Sequence, residues 1–532
     1  MASGDTATRD RILLSFDGFE LSPAAAEDLA RRAAGVTLYR HLNVRSAAQV
    51  RALTDTLQAA AARLGLPPLL IGADHETGQL HALGDDATPF AGAMAVGATG
   101  DASLAEQVGR AIGTELRAMG VNLVYAPVCD LATNPRNAVV GIRSFGDEPA
   151  AVGRLVAASV RGLQSTGVAA TAKHFPGHGD PSGDSHLGLP EIERSADELR
   201  ERELVPFEAA IDAGARVVMA GHLAVPSLTG RPDLAATLAP EVLKTLLRGD
   251  LGFGGLTLSD ALDMGGIAGH GGVDVGAALT AGTDLLLCGP NPAAQQRVEA
   301  RLAEALADGR IDRRDAEGSQ ARLADLRAWL RGFDPLSLDV VGGAEHRTLA
   351  EELARRSITV IRDVARRLPI RLVGDARVLV IEPRPRLLTP ADTTDSLAPG
   401  GLMAAIRERH PRASGVVIDT AVAEAQIAEL CDLATSADLV IFGTVDALGQ
   451  PSVTELARSL VATGTPVIAV ALRAPWDAVA YPEIGTVLAT YSVQPPSLAA
   501  LVAALWGDAS ITGLLPVTLG QPPAEPRSTN RP

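Results

Sequence analysis

Lysine is nearly absent from this chain. Of its 47 basic residues only Lys173 and Lys244 are not arginine. Where the two residues are interchangeable the chain uses arginine, so a retained lysine marks a place that needs a compact ammonium instead of a planar fork. Lys173 opens the run Lys173-His174-Phe175-Pro176-Gly177-His178-Gly179-Asp180. Residues 174–186 hold three of the ten histidines, His174, His178 and His186, together with Asp180 and Asp184. A segment broken by Pro and Gly is loop, and a loop this rich in titratable groups reads as a functional site.

Other scarcities exclude whole classes of protein. Three cysteines, Cys129, Cys288 and Cys431, are far apart and odd in number, which excludes a disulfide framework and a CxxC metal knuckle. They read as buried apolar side chains. No run of 18 uncharged apolar residues occurs, so no membrane-spanning helix is expected. The first eleven residues carry charges without an apolar stretch, and the expected location is the cytoplasm. Neither GxGxxG nor GxxxxGK[ST] opens a domain, which argues against dinucleotide and P-loop enzymes, and no cofactor is expected. A net charge of −16 without a basic patch in the sequence argues against nucleic acid and anionic membranes as partners. A small neutral or modestly charged ligand fits better. Oligomeric state has no signature in the sequence.

What is present is globular: 47% hydrophobic and 21% charged residues in a chain of 532, long enough for two domains. Short apolar runs at 12–16, 36–39, 69–74, 121–127, 169–174, 216–221, 256–260 and 284–288 read as strands. Between them lie amphipathic helices at about 23–33, 46–64, 102–119, 148–166, 197–214, 239–249, 273–281 and 292–308, several opened by an N-capping Ser, Thr or Asp. Parallel strands need helical crossovers and eight such units close a sheet, so the pattern predicts a (β/α)8 TIM barrel, with a doubly wound open sheet as its rival. The barrel domain is expected over residues 1–335 and a linker over 336–347. A C-terminal α/β sandwich domain is expected over 348–520, with strands near 378, 416, 439, 467 and 486. Residues 521–532, Pro-rich and polar, are expected to be a disordered tail.

Polar residues fall where a barrel enzyme would place them. Asp74, Lys173, His174, His222 and Asp260 stand at or just past the C-terminal ends of predicted strands, on the face that carries barrel active sites. Asp260, ending Leu256-Thr257-Leu258-Ser259-Asp260, can act as a nucleophile toward an electrophilic carbon. In Asp184-Ser185-His186 the carboxylate can hold the imidazole in one tautomer and tune it toward neutral pH, which makes a general acid and base. A metal-dependent hydrolase with His174, His178, Asp180 and His186 as ligands is the rival enzyme class. Pro and Gly between those histidines give no helical ligand pair, and Lys173 would repel a cation.

KHFPGHGD followed by DSH, then SDALDM, with APVCDLATNP and IRSFGDEP over residues 126–149, resembles glycoside hydrolase family 3. The most similar branch is that of the β-N-acetylglucosaminidases, in which DSH stands for the carboxylic acid catalyst of the β-glucosidases. GTPVIAVALRAPWD and GLLPVTL are similar to that family's C-terminal domain. The resemblance implies a retaining exo-β-N-acetylglucosaminidase acting on short glycans such as cell-wall fragments. Asp260 would be the nucleophile, His186 the acid/base and Asp184 its partner. Asp74, Arg143, Lys173 and His174 would hold the sugar hydroxyls. The bottom-up reading agrees, since charged groups from several strand ends suit a polyol and an oxocarbenium-like transition state. One departure stands out: where the family reads DQEGGRVQR this chain has Asp74-His75-Glu76-Thr77-Gly78-Gln79-Leu80-His81-Ala82, without either arginine. A glycoside phosphorylase or β-glucosidase on the same fold, and a sugar-binding homologue without turnover, are the remaining alternatives.

Overall fold

All eight N-terminal apolar runs form strands of one closed, wholly parallel barrel in the order β1 to β8. The strands are β1 (Ile12–Leu14), β2 (Gly35–Leu38), β3 (Leu70–Ala73), β4 (Leu123–Val124), β5 (Ala169–Phe175), β6 (Val217–Ala220), β7 (Leu256–Ala261) and β8 (Leu285–Leu287). The structure is a computed structural model that describes residues 8–181, 188–264, 267, 274–389, 392–419 and 421–520. Closure runs through β1 and β8, where Ile12 pairs with Leu286 and Leu13 with Leu287.

Helices start where their capping chemistry dictates. Ser46 accepts from the Gln49 N–H, Asp101 from Ser103 and Leu104, and Asn291 from Ala294, each satisfying orphan donors of a first turn. The helix expected at 197–214 is two pieces, Ala196–Glu201 and Val205–Asp212. Pro206, in the first turn of the second piece, has no N–H to continue the first. One further helix, Arg313–Leu330, lays Leu323, Leu326 and Leu330 against the strand-start residues Leu13, Leu70, Leu123, Leu256 and Leu285. It plugs the N-terminal end of the barrel and leaves the C-terminal end for chemistry.

The chain divides into two compact units, Met1–Leu353 with Leu387–Thr394, and Ala354–Arg386 with Asp395–Pro532. Residues 336–347 hold a short 3-10 turn, Leu338–Val340, and the start of the helix Ala344–Ser357. The second unit is built on a six-stranded sheet: β9 (Thr359–Asp363), β10 (Val378–Pro383), β11 (Ala413–Ile418), β12 (Leu439–Thr444), β13 (Val467–Ala471) and β14 (Thr486–Ala489). Its order is β11-β10-β12-β13-β14-β9, with two apolar clusters, one centred on Val380, Ile441 and Val470 and the other on Ile381, Phe442 and Ala469. Alternation along each strand sends neighbouring residues to the two clusters, so both faces are covered. β9, antiparallel to β14, is the strand absent from the sequence reading; only Thr359 of its five residues is buried, too weak a pattern to stand out. Residues 521–532, expected to be a tail, lie outside the described residues. Cys129 and Cys288 are buried, whereas Cys431 is half-buried, so only two of the three match the buried apolar reading.

Candidate active site

β5 delivers Lys173 and His174, and both side chains turn inward at the C-terminal end of the barrel. Lys173 is 1% exposed, and its Nζ lies 2.6 Å from Asp74 Oδ1 and 2.5 Å from Glu76 Oε1. Arg143 grips the same Glu76 with two donors, Nε to Oε2 at 2.7 Å and Nη2 to Oε1 at 2.6 Å, while its Nη1 donates to the Val139 carbonyl at 2.8 Å. Two cations and two carboxylates from three segments thus form one buried network. Burial works to raise the Glu76 carboxyl, but Arg143 and Lys173 outweigh it and hold the group well below the usual carboxylate range. Asp74 goes the other way: burial raises it, Lys173 only partly offsets this, and the Glu76 charge adds to the rise.

His174 is set by a residue that the sequence reading quoted but gave no role. Asp130, just past β4 and fully buried, accepts from His174 Nδ1 at 2.7 Å, from the His174 N–H at 3.1 Å and from the His178 N–H at 2.7 Å. Burial would raise Asp130, but the two histidines outweigh it and keep it an anion. With that carboxylate on Nδ1, the imidazole leaves Nε2 as the ring nitrogen available to the cavity. His178 packs edge-on to His174 with ring centroids 5.8 Å apart, and burial beside that ring pushes it down to about 4. The loop carrying these groups sits tightly on the Asp130 segment. A Cβ at Gly179 would lie 1.6 Å from the Leu131 carbonyl oxygen, so only glycine fits.

Asp260, the penultimate residue of β7, accepts the Ala261 N–H at 2.8 Å and lines the same space. A cavity of about 360 Å³, ample for a monosaccharide, is walled by Asp74, Arg143, Lys173, His174, His178 and Asp260. Five residues predicted from sequence therefore meet in one place. His222 does not join that wall. Its ring is fully buried between Thr237 Oγ1 at 2.8 Å and the Ala261 carbonyl at 3.1 Å, which makes it a brace for the end of β7. Asp184 and His186 lie outside the described residues. Among the described residues no group of three His, Cys, Asp or Glu side chains could hold a metal ion, and Asp180 pairs with Arg194 at 2.6 Å.

Two further wall residues, Asp392 and Thr393, come from the segment Leu387–Thr394, which belongs to the barrel unit although its chain neighbours do not. The Thr393 N–H and Oγ1 both donate to the Gln79 carbonyl, at 2.8 and 3.0 Å, and Thr393 Oγ1 accepts from the His81 N–H at 2.9 Å. The available signal was loop length: residues 384–400 separate β10 from its next helix, far beyond an ordinary βα connection. The departing motif also becomes legible. Thr77 holds a left-handed φ of 69° where the family has glycine, a strained conformation for a β-branched residue.

Comparison with known proteins assigns the class: the chain is a glycoside hydrolase. It belongs to glycosyl hydrolase family 3, whose N terminal domain matches residues 13–326. It is similar to Beta-hexosaminidase A of Pseudoalteromonas piscicida, 30% identical over 94% of this chain and 91% of that protein. It is also similar to a Beta-N-acetylglucosaminidase/beta-glucosidase of Cellulomonas fimi, 30% identical over 90% of this chain and 87% of that one. Among solved structures, the family 3 beta-N-acetylglucosaminidase from Paenibacillus sp. str. FPU-7 matches with a TM-score of 0.90 and 32% identity, covering 97% and 99% of the two chains.

Proposed function

We propose that this enzyme is a retaining exo-β-N-acetylglucosaminidase that removes terminal β-linked N-acetylglucosamine from short glycans such as cell-wall fragments. The observation that carries the reading is Asp260 at the end of β7, in the same cavity as the Lys173–Asp74–Glu76–Arg143 network and the Asp130-bound His174. The relatives named for hexosaminidase and N-acetylglucosaminidase activity support the choice of sugar.

In the first step an Asp260 carboxylate oxygen attacks the anomeric carbon. The bond from that carbon to the leaving oxygen breaks, and the leaving oxygen takes a proton from the His186 imidazolium. In the second step His186 takes a proton from water, the water oxygen attacks the same carbon, and Asp260 departs as a carboxylate. Two displacements give net retention. The parts given to His186 and Asp184 rest on the DSH motif. Lys173, Arg143 and Asp74 supply a donor and acceptor set for sugar hydroxyls, and His174 Nε2 adds one more. Beside groups as buried as Lys173 and Arg143 such bonds act more strongly than in bulk solvent.

We further place the enzyme in the cytoplasm, in recycling of cell-wall sugars. Its three free cysteines suit a reducing compartment, and cell fractionation checks the location. Hydrolysis of two aryl β-glycosides that differ only at the 2-position tests the sugar. The acetamido compound is expected to be the better substrate in kcat/KM, with the β-anomer released first. Preference for the 2-hydroxyl compound would make the enzyme a β-glucosidase, and first release of the α-anomer would remove the covalent intermediate.

A further inference from the structure

Lys244 is the retained lysine that the proposed chemistry leaves unused. It lies on the helix Glu241–Asp250, beside a cavity of about 90 Å³ whose walls include Arg11, Arg248, Arg314 and Arg322. Arg11 and Asp284 stand at the starts of β1 and β8, so this cavity opens at the N-terminal end of the barrel, opposite Asp260. Five cationic side chains there face two carboxylates, Asp284 and Asp315, in a chain whose net charge is −16.

The carboxylates do not balance the cations. Arg322 donates to Asp284 twice, Nη2 to Oδ1 at 2.6 Å and Nε to Oδ2 at 3.1 Å, and Arg248 Nη2 donates to Oδ2 at 2.7 Å. Asp284 is thus engaged by two guanidiniums. For the other three cations there remains Asp315, 2.6 Å from Lys244 Nζ, and the Ala316 carbonyl, 3.3 Å from Arg11 Nη2. Arg314 is exposed, and among the described residues its guanidinium has no hydrogen-bond or ion-pair partner, only its backbone N–H being engaged, by Asp312. Arg11 is only 4% exposed; burial disfavours its charge and Arg322 adds repulsion, and Asp284, Asp10 and Asp315 together offset this only in part. A buried, undercompensated guanidinium is costly unless an anion joins it.

We propose that this cavity is a binding site for a small tetrahedral dianion, inorganic phosphate or a sulfate of the same shape. The space equals the share of about three waters, enough for a five-atom ion and too little for a sugar beside it. Of its cations Arg11 is the most buried, and Lys244 and Arg314 are the most exposed. These groups belong to the start of β1 and to two helices at the seam where β8 closes on β1, so the bound ion fastens the barrel shut.

Thermal unfolding of the full chain at constant ionic strength, with sodium phosphate replacing chloride, tests this. Tm is expected to rise and then level off at millimolar phosphate, as binding to the folded state requires. In the double variant Lys244→Gln/Arg314→Gln the rise should vanish. The single change R314Q, at an exposed residue, should weaken phosphate affinity about tenfold by calorimetry. In Lys173→Met, which removes a cation from the catalytic cavity, the rise should persist. A rise that grows without levelling and is equal in all variants is general exclusion of phosphate from protein surface, and it overturns the proposal. So do an unchanged plateau in the double variant, no rise in the parent enzyme, and loss of the rise in Lys173→Met.

Discussion

At the C-terminal end of the barrel, Asp74 keeps 29% of its side chain exposed to the cavity, and burial beside Glu76 pushes its carboxyl up. At the N-terminal end, Asp284 is 1% exposed and accepts five bonds, from Arg248, from Arg322 twice and from the Thr257 N–H and hydroxyl. There burial would raise the carboxyl, but the two guanidiniums outweigh it and hold Asp284 down. The same residue type in the same barrel lies against an open cavity at one end and is saturated by protein donors at the other. Asp74 is thus pushed toward its neutral form and Asp284 toward its charged form.

Variants at the two ends should therefore separate activity from stability. Asp260→Ala is expected to lower kcat more than about a thousandfold with little change in Tm, because truncation removes the proposed nucleophile without opening a core cavity. A kcat above about a tenth of the parent value would take Asp260 out of the mechanism. Asp284→Ala is the mirror case. It strands two guanidiniums and should cost about 3–5 kcal/mol in denaturant unfolding, while kcat of the folded fraction stays within about twofold. Loss of turnover in a fully folded Asp284→Ala protein would break the comparison.

Lys173→Arg should lower kcat/KM about tenfold, since a fork is larger than the ammonium it replaces between Asp74 and Glu76. Parent-level kcat/KM would mean that the lysine is not required. The smallest effect is one of pH. Burial beside His174 holds His178 near 4 in the folded protein, below its ordinary value of 6.5. Between those two values the unfolded chain binds the extra proton, so stability falls as acid is added through that window and is fully present above it. His178→Gln should remove about 1 kcal/mol of the loss between about pH 6 and about pH 5, read from urea midpoints. An unchanged pH slope would show that His178 does not titrate there.

Much of this was legible in the sequence because it is local. Eight apolar runs with helices between them gave the barrel, and Asp74, Lys173, His174 and Asp260 end their own strands. What was hidden depends on distant partners. Asp130 meets His174 across 44 residues and Thr393 meets Gln79 across 314, separations that no periodicity carries. β9 pairs through an edge with a mostly half-buried face, and the break after Glu201 is marked only by Pro206 within a long amphipathic stretch. Lys244 stood out as a retained lysine, but its cavity exists only once three elements converge.

The most direct test of the central claim is to find where the sugar becomes attached. An activated β-glycoside carrying fluorine on the sugar ring slows the second displacement, and peptide mapping by mass spectrometry then locates the bound sugar. The account predicts one sugar per chain, on the peptide containing Asp260 and on that side chain. A label on Asp74 or on any other side chain, or steady turnover with no label at all, would contradict it.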